Sequence, residues 1–92
     1  MAEMQETASY LKALGLRIRD IRASRGYSQE KFAAVCGVHR TFMGAIERGE
    51  SNVSFQNILR IATAAGVSLE SLFKGIEIAA KKHRPKPLDS QE

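Results

Sequence analysis

A single cysteine, Cys36, stands in the 92-residue chain. No disulfide can therefore close within one copy, and no cluster of closely spaced ligands of the kind zinc needs is available. Cys36 falls on an apolar stripe, which reads as an inert core thiol; a redox sensor would need an exposed, electropositive setting. Proline occurs only at Pro85 and Pro87. No run of about 18 apolar residues is present to cross a bilayer, and MAEMQETASY lacks the basic start and apolar stretch of a secretory leader. A cytoplasmic protein with no membrane partner is expected. Internal repeats, a glycine-rich nucleotide loop and alternation long enough for a sheet are also missing. His39 and His83 have no plausible nucleophile or acid to work with, so neither an enzyme nor a metal or cofactor site is expected.

Ninety-two residues set one small domain, with one modest core and no room for a separate catalytic or ligand-sensing domain. The formal charge of +4 and the isoelectric point near 9.6 favour a polyanionic partner through steering and counterion release. Charge alone supports such a partner without establishing one.

The stretch Gln29 to Arg48, QEKFAAVCGVHRTFMGAIER, predicts two short helices joined by a glycine turn. Phe32, Ala33 and Cys36 make an apolar stripe on the first, and small Ala33 permits a close crossing. Gly37 ends that helix in the left-handed conformation, with Val38 plugging the gap. Met43 and Ile46 resume the stripe on the second helix. The other face, with His39, Arg40, Thr41, Gly44 and Ala45, offers a core nothing. This is the helix-turn-helix pattern used to enter a DNA groove.

These residues carry a resemblance. Leu14 to Phe73, with LRIRDIRASRGYSQEKFAAVCGVHRTFMGAIERG followed by NILRIATAAGVSLESLF, resembles the Cro and phage-repressor (Xre) family of helix-turn-helix regulators. The run GVHRTFMGAIERGESNVS is similar to small one-domain members, including the controllers of restriction-modification systems. The resemblance implies an all-α, five-helix, lambda-repressor-like domain. It also implies a structural ion pair between Arg22 and Glu47; two solvated surface charges are the alternative. It carries to Gln29 a contact with the DNA backbone and support for the first residues of the recognition helix, against a plain polar residue at a helix start.

The recognition helix, 39–48, places Arg40 and Thr41 at its leading end, where base edges are read. Arg40 suits a bidentate pair with guanine, Thr41 a thymine methyl, and Ala45 a methyl or sugar edge; contact of Arg40 with phosphate alone is the alternative. His39 caps a helix poorly and is read as a DNA contact. Gly44 costs up to ~1 kcal/mol in a helix, repaid by close approach of backbone to DNA or to the first helix. Phe42 lies between the core and groove faces, so partial burial is expected. Arg48 and Asn52 are the phosphate candidates of the following loop, where Glu50 is expected to point away.

Around this motif, 1–8 reads as a flexible N-terminus, 9–78 as the DNA-binding domain and 79–92 as a basic, proline-containing tail. A first helix from about Ser9 turns Leu11, Leu14, Ile18 and Ile21 inward, with Arg17, Arg19, Arg22 and Arg25 on its remaining surface. Ser28 caps the second helix. Ser54 caps a fourth whose core face is Phe55, Ile58, Leu59, Ile61 and Ala62, and Ser68 starts a short fifth. Leu69, Phe73, Ile76 and Ile78 are candidates for a two-fold homodimer patch, unless they only finish the monomer's core. Lys81, Lys82, Arg84 and Lys86 in the tail add cations. The expected function is a sequence-specific transcriptional regulator that binds double-stranded DNA as a dimer and can activate by touching RNA polymerase. An antitoxin or interaction adaptor on the same fold is the alternative.

Overall fold

The computed structural model describes residues 2–77. Five helices follow one another: α1 (Ala2–Ser24), α2 (Gln29–Cys36), α3 (Arg40–Glu47), α4 (Phe55–Ala65) and α5 (Leu69–Leu72). No strand occurs among the described residues. The architecture is thus the all-α, five-helix arrangement expected. The first helix begins at Ala2, ahead of the start read near Ser9, so the segment set apart as a free N-terminus is helical from Ala2 onward. Buried Ser9 and core-packed Tyr10 tie α1 down before the periodic leucines and isoleucines begin.

Serine opens α2, α4 and α5. Ser28, Ser54 and Ser68 lie in extended backbone, and their hydroxyls accept from the N–H groups of Lys31, Asn57 and Ser71, satisfying donors that a helix start leaves bare. The turn between α2 and α3 depends on Gly37, at φ 78°. Its N–H donates to Ala34 O at 3.1 Å while the N–H of Val38 donates to Ala33 O at 3.0 Å. A side chain at residue 37 would strain this reversal.

The core gathers Ala13, Leu14, Ile18 and Ile21 from α1, Phe32, Ala33 and Cys36 from α2, Met43 and Ile46 from α3, and Ile61, Ala62 and Ala65 from α4, closed by Leu72 and Ile76. Because α3 packs against both α1 and α2, the recognition helix is gripped from two sides. On α4 the expected core face needs correction. Phe55 is 61% exposed and Leu59 40%, and Ile58 is only half-buried. Ile61, Ala62 and Ala65 turn inward, and the i, i+4 pair Phe55 and Leu59 falls one strip round the helix from them.

An arginine of α1 and another just after it fasten the ends of other helices. Arg17 donates to Ser71 O at 2.7 Å and to Leu72 O at 3.3 Å, and Arg25 donates to Ala65 O at 2.7 Å. Cations at C-terminal carbonyls satisfy orphan acceptors and complement the helix dipole. The proposed two-fold patch is also altered. Ile76 is buried in the monomer's own core and Leu69 packs against it, whereas Phe73 is exposed. Ile78 and the tail 79–92 lie outside the described residues.

Candidate nucleic-acid interface

Helix α3 is short, and its start depends on an unusual cap. His39 is in extended backbone, and its Nδ1 accepts the N–H of Thr41 at 3.1 Å. The expectation that histidine would leave this helix without a clean cap is therefore corrected. An Nδ1 used as acceptor carries no proton, so in the neutral ring the hydrogen sits on Nε2, where it remains a donor. Along the helix, Met43, Gly44, Ile46 and Glu47 are buried and Ala45 is half-buried. Arg40 and Thr41, by contrast, are exposed, as is Arg48 after the helix. Phe42 is half-buried against the core.

The far end of α3 is held by charge. Arg22 donates through Nε to Glu47 Oε2 at 2.7 Å and through Nη2 to Glu47 Oε1 at 3.1 Å. Arg22 Nη1 also donates to Tyr27 O at 2.9 Å. Gln29 completes the cluster, its Nε2 donating to Glu47 Oε1 at 3.1 Å. Glu47 is thus buried while accepting three hydrogen bonds, the condition under which a carboxylate tolerates burial. The support that Gln29 gives goes to the last residue of α3, not to its first residues.

Gly44 lies where α3 meets that glutamine. A Cβ there would stand 3.1 Å from Arg48 Nη1 and 3.3 Å from Gln29 Oε1, so the space it leaves is taken by those two side chains, one of them from α2. Gly15 has a role that no motif in the sequence marks. A Cβ on it would collide with the backbone carbonyls of Ile46 and Glu47, so glycine is what lets α1 cross the end of α3 in backbone contact. Its signal was only a glycine within a helical pattern, where it costs stability unless close packing repays it.

Gln29, Glu30, Arg40, Thr41, Gly44 and Arg48 line one open concavity. The structure thus brings together base candidates Arg40 and Thr41 with phosphate candidates Gln29 and Arg48. His39, Ala45 and Asn52 lie outside that lining. Each of the two arginines holds an acid: Arg40 Nη1 meets Glu30 Oε2 at 3.2 Å, and Arg48 Nε meets Glu50 Oε1 at 3.0 Å. Glu50 therefore turns toward Arg48 instead of pointing away. Glu30 is a residue of this surface that the sequence pattern does not single out; its signal is an acid in the first turn of α2 and a base in the first turn of α3, brought together by the turn.

Cys36 is buried, and desolvation pushes its thiol up to about 11. Among the described residues no group of histidine, cysteine and acidic side chains is placed to hold a metal ion. No helix among them is long and apolar enough to cross a membrane.

Comparison with known proteins agrees with this geometry. A helix-turn-helix family model matches residues 18–72. The control protein C.BamHI of Bacillus amyloliquefaciens is 48% identical over 59 residues, covering 63% of this chain and 73% of the relative. A hypothetical transcription factor of Neisseria meningitidis serogroup B is 35% identical over 71 residues, 77% of this chain and 67% of that protein. Among solved structures, the restriction-modification controller C.AhdI from Aeromonas hydrophila superposes with a TM-score of 0.67 at 43% identity, covering 68% of this chain and 96% of its own.

Proposed function

This chain belongs to the helix-turn-helix family, and we propose that it is a sequence-specific regulator of transcription whose α3 reads an operator in the major groove. The observation that carries this reading is the exposure of Arg40 and Thr41 at the leading end of a helix gripped on two sides. A fixed helix can aim its first side chains, and a loosely held one cannot. Arg40 donates its fork to guanine O6 and N7, and Thr41 sets its methyl against a thymine. His39, through Nε2–H, and Ala45 lie at the edges of this contact. Arg48, Asn52 and the N-terminus of α2 at Gln29 take phosphates.

The regulator acts in the cytoplasm as a homodimer, which sets two copies of α3 one DNA turn apart, about 34 to 36 Å. Exposed Phe73, with Phe55 and Leu59 of α4, supplies the apolar surface for pairing. Similarity to C.BamHI and C.AhdI favours control of a restriction-modification system. An operator beside a promoter puts the bound protein within reach of RNA polymerase.

Selection of bound sequences from a random duplex pool, with the wild type and Arg40→Ala side by side, tests the reading. A palindromic consensus is expected from the wild type, and loss of preference at one base per half-site from the variant, at about 1 to 3 kcal/mol. Unchanged selectivity in Arg40→Ala would sink the assignment.

A further inference from the structure

We propose that Glu30 is a positioning residue for base reading: its carboxylate steadies the Arg40 guanidinium over the groove and denies it to phosphates. The inference rests on the reading of Arg40 as a base contact. Glu30 Oε2 takes one contact, from Arg40 Nη1 at 3.2 Å, and Arg40 is its one hydrogen-bonding partner among the described residues. A guanidinium has five N–H donors. One contact at Nη1 therefore leaves enough of the fork for the two parallel bonds that guanine accepts.

The placement is otherwise costly for a DNA-binding surface. Glu30 lines the same concavity as Arg40, Thr41 and Arg48, with its side chain 72% exposed, and a carboxylate there opposes every phosphate that approaches. A helix start favours an acid, but that preference is indifferent to which side chain the acid touches. Pairing with Arg40 ties the penalty to sequence. At a non-operator site the Glu30 carboxylate repels the phosphate that Arg40 would meet; at an operator Arg40 keeps Glu30 while its free donors meet the base.

The test measures affinity and base preference of the full chain for operator and scrambled duplexes over a salt series, in the wild type, Glu30→Ala, Arg40→Ala, the double variant and Glu50→Ala. For Glu30→Ala the ratio of operator to scrambled affinity should fall about two- to fivefold, the range an exposed ion pair allows. Loss of preference should be confined to the base that Arg40 reads. Scrambled-duplex binding should tighten, with a salt slope steeper by about 0.9 for the freed cation. Glu50→Ala removes the same charge from the pair on Arg48 and should leave base preference intact. Added to Arg40→Ala, Glu30→Ala should change preference no further.

The proposal is overturned if Glu30→Ala tightens all duplexes equally with base preference unchanged, since Glu30 then only repels phosphate. It is also overturned if Glu50→Ala costs the same preference, since net charge is then the cause. Should Arg40→Ala itself leave preference unchanged, the base-contact assignment fails and takes this inference with it. A sensitive Arg40→Ala beside an insensitive Glu30→Ala sinks the inference alone.

Discussion

Arg22 and Glu47 join the first helix to the last turn of the third through two side-by-side hydrogen bonds of 2.7 and 3.1 Å. Their side chains keep only 15% and 4% of their exposure. The third helix is thereby anchored at the end opposite Arg40 and Thr41.

Breaking that pair strands a charge, and the cost depends on which charge remains. Arg22→Ala leaves the more deeply buried carboxylate with Gln29 alone, whereas Glu47→Ala leaves a guanidinium that still reaches Tyr27 O and some solvent. Loss of about 3 to 5 kcal/mol is expected for Arg22→Ala, and less for Glu47→Ala. Denaturant unfolding of both variants measures the order; equal, small losses would mean the pair is effectively solvated.

Gly15→Ala reverses the usual benefit of replacing a helical glycine. Alanine gains up to about 1 kcal/mol in helix propensity, but its Cβ would meet the carbonyls of Ile46 and Glu47, which are backbone and cannot rotate away. A net loss of about 1 to 3 kcal/mol is expected. Thermal unfolding reads it, and operator affinity should fall too because the crossing of α1 and α3 must open.

Burial of Cys36 predicts both its reactivity and a pH dependence. The native thiol should resist alkylation at pH 8 and react once denaturant opens the core, because the thiolate is the nucleophile. Folding raises the thiol from 9.0 to about 11, so the folded chain keeps this proton longer than the unfolded one. The stability it contributes is complete below pH 9 and is lost as pH climbs toward 11. Cys36→Ala should flatten that part of the stability profile. An equally steep profile in the variant would assign the dependence to other groups.

Phe55→Glu and Phe73→Glu should leave helix content unchanged, since both side chains are exposed in the monomer. A charge in an apolar contact removes about 1.5 to 3 kcal/mol of burial per side chain. For the dimer proposed through this surface, the dissociation constant should therefore rise at least about tenfold in sedimentation equilibrium. Wild-type and variant chains that are monomeric alike would remove these residues from any interface.

Amino-acid order alone determined the five helices and, apart from the start of α1, where they begin and end. Gly37 stops α2, Ser28, Ser54 and Ser68 begin their helices, and the stripes through Ile18, Phe32 and Met43 name core residues, because caps and periodicity act over one or two turns and are written in adjacent residues. The same order set out which side chains at the head of α3 a core does not use.

Tertiary structure alone decided what those side chains touch. Whether Phe55 and Leu59 lie inside or outside depends on how α4 settles against α2 and α5, and whether Ile76 serves the monomer or a partner depends on how the chain after α5 settles beside α1. A helical stripe wider than its contact leaves that rotation open. The pairing of Arg40 with Glu30, the use of Arg17 and Arg25 as helix-end staples and the backbone contact at Gly15 join residues from different helices or turns. Such contacts exist only once hydrophobic burial has fixed the crossings, because a long charged side chain has no preferred partner until the packed backbone places one within reach.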